Sequence, residues 1–164
     1  KRRSDAMTRA ADLPLPAYRH VPGENARPDE AAFAAVKRMV PAETRSATAA
    51  DNVAWRYGLR LLDAGFYWEA HEVLEPVWLA AAPNSRERHL VQAVIHLANG
   101  RLKDVMGRPN ARLRLAGLAR QGLEAAFPTG EGRLMGLDGG LAFRAAARLA
   151  AGEPGFALST DDAR

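Results

Sequence analysis

Gly58-Leu59-Arg60-Leu61-Leu62-Asp63-Ala64-Gly65-Phe66-Tyr67-Trp68-Glu69-Ala70-His71-Glu72-Val73-Leu74-Glu75-Pro76-Val77-Trp78 is the stretch whose reading decides the fold. Its front half completes a helix over roughly residues 49–64, with Thr48 as N-cap and Gly65 as the stop. On a helical wheel Trp55, Leu59 and Leu62 share one side, and Asn52, Arg56, Arg60 and Asp63 form a narrow polar strip on the other. A second helix over about residues 67–81 follows at once, so the two make a tight αα-hairpin. Phe66, Tyr67, Ala70, Val73, Leu74, Val77 and Trp78 cover one broad face of this second helix, with His71 at its border. The opposite face carries Glu75, Trp68, Leu79 and Glu72, with Glu69 further round. A solvated face would not usually set Trp68 and Leu79 among acids. The expectation is therefore a largely buried helix, with Glu72 and Glu75 at least partly out of water.

Outward from the hairpin the punctuation is clear. Pro83-Asn84-Ser85 breaks the chain, and Ser85 can cap a long helix over residues 86–106 that Gly107 ends. Pro109-Asn110 opens another helix running to Phe127, Pro128 stops it, and the five glycines of residues 129–140 read as a loop. A last helix fits residues 141–151, closed by Gly152 and Pro154; an early short one fits residues 29–40, ended by Pro41. No segment alternates apolar and polar residues, so strands are not expected. Four of the ten prolines fall within residues 1–28, which read as an extended arm. The predicted organisation is this arm, a single helical domain over 29–154 and a tail over 155–164. The fold class is all-α: a compact bundle of about five to six helices built from antiparallel hairpins. Gly107, Ala111 and Leu115 echo Gly65, Ala70 and Leu74 about 42 residues on, a loose likeness to tetratricopeptide units.

Composition narrows the function classes. At 164 residues with 48% hydrophobic and 26% charged residues, the chain has the make-up of one globular domain. Without cysteine there can be no disulfide, zinc–thiolate site or thiol nucleophile. No apolar run reaches the length of a membrane span, and none follows Lys1-Arg2-Arg3, so the expected location is the cytoplasm. Met7 is a candidate true start, with the first six residues an extension. The net charge of +4 invites nucleic acid as a partner. Twenty of the 23 basic residues are arginine, however, and they are scattered without interleaved aromatics, so that partner is not expected. Charge is instead segregated: residues 51–82 hold two arginines against five acids, and residues 86–128 hold eight basic residues against three acids.

A carboxylate out of water must find positive charge, donors or a proton. His71 and Glu75 are spaced i,i+4 and Glu72 and Glu75 i,i+3, so one helix could aim all three at a common point. Histidine with carboxylates at helical spacing is ligand chemistry for a divalent transition metal, making His71, Glu72 and Glu75 the candidate ligands and Glu72 and Glu75 the candidate catalytic acids. Pro76, inside this helix, would free the carbonyl of Glu72 and bend the axis. On the next helix His89, Gln92, His96, Asn99 and Lys103 form one polar stripe. If the stripe borders the acids, a polar site forms from Glu69, His71, Glu72, Glu75, Gln92 and His96. The bland readings are that the stripe is a solvated helix side, that Arg56, Arg60, Arg88 or Arg112 neutralise the acids, and that Trp55, Trp68 and Trp78 are core or interface aromatics.

The opening run resembles the signature of the domain of unknown function 309 family, a bacterial type of protein. Three further stretches agree: Leu15-Pro16-Ala17-Tyr18-Arg19-His20-Val21-Pro22-Gly23, Gln92-Ala93-Val94-Ile95-His96-Leu97-Ala98 and Gly107-Arg108-Pro109-Asn110-Ala111. The resemblance implies a compact all-α domain, and it brings the label of a metal-dependent hydrolase that rests on the same His/Glu run. His96 departs from the pattern, since relatives carry glutamine there, which argues against it as an essential ligand. The reading favoured is an uncharacterised helical protein acting as a non-catalytic interaction module whose His/Glu cluster is structural. The alternative is a metal-dependent hydrolase using His71, Glu72 and Glu75. The aromatic-rich hairpin also suggests a homodimer; a protein partner or small-molecule substrate is not named by the residues.

Overall fold

In the computed structural model the described residues are 9–155 and Leu158; the expected extension through Met7 and the rest of the tail lie outside them. After a 3-10 turn (Ala10–Asp12) come α1 (Ala31–Arg38), a 3-10 segment (Ser46–Asp51), α2 (Val53–Asp63), α3 (Tyr67–Leu79), α4 (Arg86–Val105), α5 (Pro109–Ala126), β1 (Arg133–Leu134), β2 (Leu137–Asp138) and α6 (Gly139–Ala151). The fold is all-α, with consecutive helices packed as antiparallel hairpins and α4 at the centre against α3, α5 and α6. Leu90, Val91, Val94, Leu97 and Ala98 of α4 are fully buried, and with Leu61, Val73, Leu74, Leu123 and Leu149 they fill the core.

The three glycines read as stops close their helices in the same way. At Gly65 (φ +85°) the Phe66 N–H reaches back to the Leu61 carbonyl at 2.9 Å and the Gly65 N–H to Leu62 at 3.1 Å, a Schellman closure. Arg108 to Lys103 with Gly107 to Asp104, and Glu153 to Arg148 with Gly152 to Leu149, repeat it. Several carbonyls at or just beyond helix C-termini accept from arginines. Arg19 donates to Ala64 at 2.7 Å, Arg88 to Ala81 at 2.9 Å, Arg86 to Ala126 at 2.8 Å, and Arg112 to Leu149 and Ala150 at 2.8 and 3.1 Å. A cation at the negative end of a helix is favoured by the macrodipole as well as by the bond.

Two expectations need correction. Thr48 does not cap α2: residues 46–51 tighten into 3-10 geometry, and buried Asn52 caps instead, its Oδ1 accepting the Trp55 N–H at 3.1 Å. The glycine-rich stretch is also more than a loop. Arg133 pairs with Asp138 and Leu134 with Leu137 in a minimal antiparallel hairpin, whose central Met135 (φ +50°) and Gly136 (φ +78°) both take left-handed backbone. Burial of Leu134, Met135 and Leu137 drives this, and the Met135 carbonyl accepts the Trp55 indole N–H at 3.0 Å. Two-residue strands are too short to show alternation.

Candidate functional site

Every side chain of the expected site is carried by α3 or α4, and the geometry divides them between two faces of α3. The first faces the N-terminal segment. Glu69 is 0% exposed, and its Oε2 accepts the backbone N–H of His20 at 3.0 Å, while Oε1 is buried without a protein partner. Tyr57 stands nearby on α2; burial, and in lesser part the Glu69 carboxylate, pushes its phenol up, and its hydroxyl donates to the Pro14 carbonyl at 2.6 Å. Trp68 is the platform beside Glu69. The His20 ring meets it edge-on at 4.8 Å, Arg27 lies over it at 5.5 Å, and Phe33 of α1 packs at 6.4 Å. One turn on, Glu72 Oε2 is 3.4 Å from the Lys37 ammonium at the end of α1. Near the end of α3 the Thr44 hydroxyl donates to the Val77 carbonyl at 2.7 Å and the Thr44 N–H to Ala80 at 3.0 Å. Residues 20–44 are thus fastened to one side of α3 from its first turn to its last.

His20 itself is shaped by its loop. Asn25 Oδ1 lies 2.9 Å from His20 Nδ1 and accepts the Val21 N–H at 3.0 Å, and Asn25 Nδ2 donates to the Arg19 carbonyl at 2.8 Å. These bonds close a compact turn that presents the His20 N–H to Glu69. A histidine and an asparagine in a proline-rich arm gave no helical or strand period to read, which is why sequence reasoning missed this turn.

The second face is the seam between α3 and α4. Arg88 lies over the Trp78 ring at 4.6 Å near one end, and at the other His71 and Arg114 are near enough to His96 to disfavour its protonation. The antiparallel register set by those pairs puts Glu75 and Gln92 at the level between them. His71 Nε2 is 3.8 Å from Glu75 Oε2, a loose contact. Burial is the first cause that holds the His96 imidazole below its ordinary value, and its Nδ1 has no partner in the interior; neither has the Trp78 indole N–H.

Several expectations are corrected here. Glu75 reaches into solvent with 51% of its side chain exposed, and Glu72, at 20%, turns away from it to Lys37. The acid fully out of water is Glu69, which the wheel sets further round than Glu72 and Glu75 and which is not the one expected to be buried. Leu79 is 60% exposed. Nor do Arg56, Arg60, Arg88 and Arg112 neutralise Glu72 or Glu75: those guanidinium groups donate to the carbonyls of Ala50, of Ala10 and Leu13, of Ala81, and of Leu149 and Ala150. The reason is common to all of them. The covering N-terminal segment supplies a buried surface, and the helix ends supply acceptors, that a wheel of one helix does not contain. Of the six residues expected to share one polar site, His71 lies by Glu75 and near His96, whereas Glu69 and Glu72 face the other way. Among the described residues, no group of three or more histidine, aspartate or glutamate side chains is placed to hold one metal ion. The tryptophans divide similarly, Trp55 in the core, Trp68 under the arm and Trp78 half-buried at the seam.

Residues 55–115, which span α2, α3, α4 and the start of α5, match the family model described as a domain of unknown function (DUF309). No curated protein and no solved structure matches the chain.

Proposed function

We propose that this chain, which carries the domain of unknown function 309 over residues 55–115, is a non-catalytic helical interaction module in which the Glu-Ala-His-Glu signature is a fastening for the N-terminal segment. One observation carries this reading: the first and last acids of the signature, Glu69 and Glu72, bind the His20 backbone N–H and the Lys37 ammonium on one side of α3, while His71 lies on the other. A carboxylate oxygen that holds a buried N–H contributes to the fold, because removing it would leave that donor unsatisfied.

The working surface in this reading is the α3–α4 seam. The Trp78 indole can only donate, and in the interior it lacks an acceptor. A partner segment laid along the half-buried His71, Trp78, Gln92 and His96 and the exposed Glu75 would cover this strip, as a helix or an extended peptide does in a groove.

The competing reading, a metal-dependent hydrolase on His71, Glu72 and Glu75, is separated by metal content. In protein prepared without a histidine tag, elemental analysis after equilibration with zinc or manganese is expected to show far less than one equivalent bound. Near-stoichiometric metal that the substitution His71→Ala abolishes would overturn the module reading in favour of the hydrolase.

A further inference from the structure

The α4–α5 hairpin carries more positive charge than its own acids meet. Asp104 pairs with Arg112 across the hairpin at 3.4 Å, and Glu124 with Arg120 at 3.2 Å. Arg86, Arg88 and Arg112 donate to the carbonyls of Ala126, Ala81 and Leu149. Lys103, Arg108 and Arg114 remain, and none of their side chains makes a hydrogen bond or ion pair among the described residues.

The backbone gathers these three. Lys103 lies in the last turn of α4 and its carbonyl accepts the Arg108 N–H at 2.9 Å, so the two flank the turn at Gly107. Gly122 of α5 packs on His89 and Ala93 of α4. About two turns back along the antiparallel helix, Arg114 comes level with Asn99. His96, Asn99 and Lys103 recur at helical spacing on one half-buried face of α4, and Arg114 is near enough to act on the His96 imidazole. This face continues the α3–α4 strip toward the hairpin turn. There the negative end of α4 and the positive end of α5 meet and offset each other, so helix dipoles do not balance the three cations.

These charges suit a protein anion better than a nucleic acid. The Trp78 ring is covered by Arg88 at 4.6 Å and offers no stacking platform. Glu75, exposed further along the strip, would meet a continuous phosphate chain with its own charge. We infer that the seam docks an acidic segment of a partner protein, its carboxylates against Lys103, Arg108 and Arg114. The inference rests on the seam being the working surface and adds the chemistry of what it takes.

The test is an NMR titration of the full chain with a peptide of alanine, leucine and glutamate, and with the same peptide carrying glutamine or lysine in place of glutamate. The glutamate peptide is expected to shift Asn99 and Lys103 saturably, the glutamine peptide to bind about tenfold more weakly, and the lysine peptide not to bind there. Arg114→Glu should weaken the glutamate peptide about tenfold. Arg144→Glu, the same charge change at an exposed position on α6, should weaken it by less than about twofold. Equal binding of the glutamate and glutamine peptides along the strip would overturn the inference while leaving the seam a docking surface; near-stoichiometric metal would instead remove the module reading beneath it. No saturable shift, binding of the lysine peptide at the same residues, equal loss in the two variants, or tighter binding of single-stranded DNA there would also overturn the inference.

Discussion

A carboxylate's role is decided by what its oxygens meet, and Glu69, Glu72 and Glu75 meet three different things within seven residues. Glu69 meets a backbone N–H in the interior, Glu72 a lysine at the rim, and Glu75 water. Sequence periodicity identifies the helix they share but not this division, because the covering group for Glu69 comes from an irregular turn 49 residues earlier. His96 is the other residue whose environment matters at this scale. Burial, aided by Arg114 and then His71, holds its imidazole below the ordinary 6.5. The unfolded chain therefore takes up that proton at a higher pH than the folded one. The stability this residue contributes is complete above about 6.5 and declines as pH falls from there toward its folded value. Thermal unfolding followed from pH 7 to pH 5 should show a falling Tm, and His96→Gln should remove part of that fall. An identical pH profile in the variant would contradict the assignment.

At the scale of elements, the helix ends were the most legible feature. Gly65, Gly107 and Gly152 terminate α2, α4 and α6 as their positions announce, and Ser85 caps α4, its hydroxyl accepting the Arg88 N–H at 3.1 Å. The arginines were less legible. Scattered along the chain, four of them (Arg19, Arg86, Arg88 and Arg112) turn out to serve carbonyls at helix C-termini, a role that depends on which ends fold next to which. Close helix approach was equally hidden. A Cβ on Gly122 of α5 would lie 3.0 Å from the Ala93 Cβ and 3.1 Å from the His89 carbonyl oxygen of α4. Neither atom is the free end of a flexible side chain, so Gly122→Ala must separate the two helices. Despite alanine's higher helix propensity, we expect destabilisation of about 1–3 kcal/mol, the usual cost of overpacking a tight contact. Denaturant unfolding measures it; a midpoint at or above that of the parent would show that the α4–α5 contact is looser than described.

On the scale of the whole molecule, the N-terminal segment is a structural member of the fold. It supplies the ring of His20 and the side chain of Phe33 to Trp68, the carbonyls of Ala10 and Leu13 to Arg60, and Pro14 to Tyr57. The family match begins at residue 55, after this segment, yet two of the signature's own side chains are bound to it. Its proline content pointed to an extended arm; where such an arm docks is set by partners distant in the chain, which local pattern does not contain. No described helix is long and apolar enough to cross a membrane. The most direct check of the fastening is hydrogen exchange at a single amide, that of His20. With Glu69 intact it should be strongly protected. In Glu69→Gln, which keeps an acceptor oxygen of the same reach, protection should persist, whereas in Glu69→Leu exchange should rise about tenfold or more while the amides of α4 stay protected. Equal protection of His20 in all three proteins would show that Glu69 does not hold the arm, and the structural role given to the signature would fall with it.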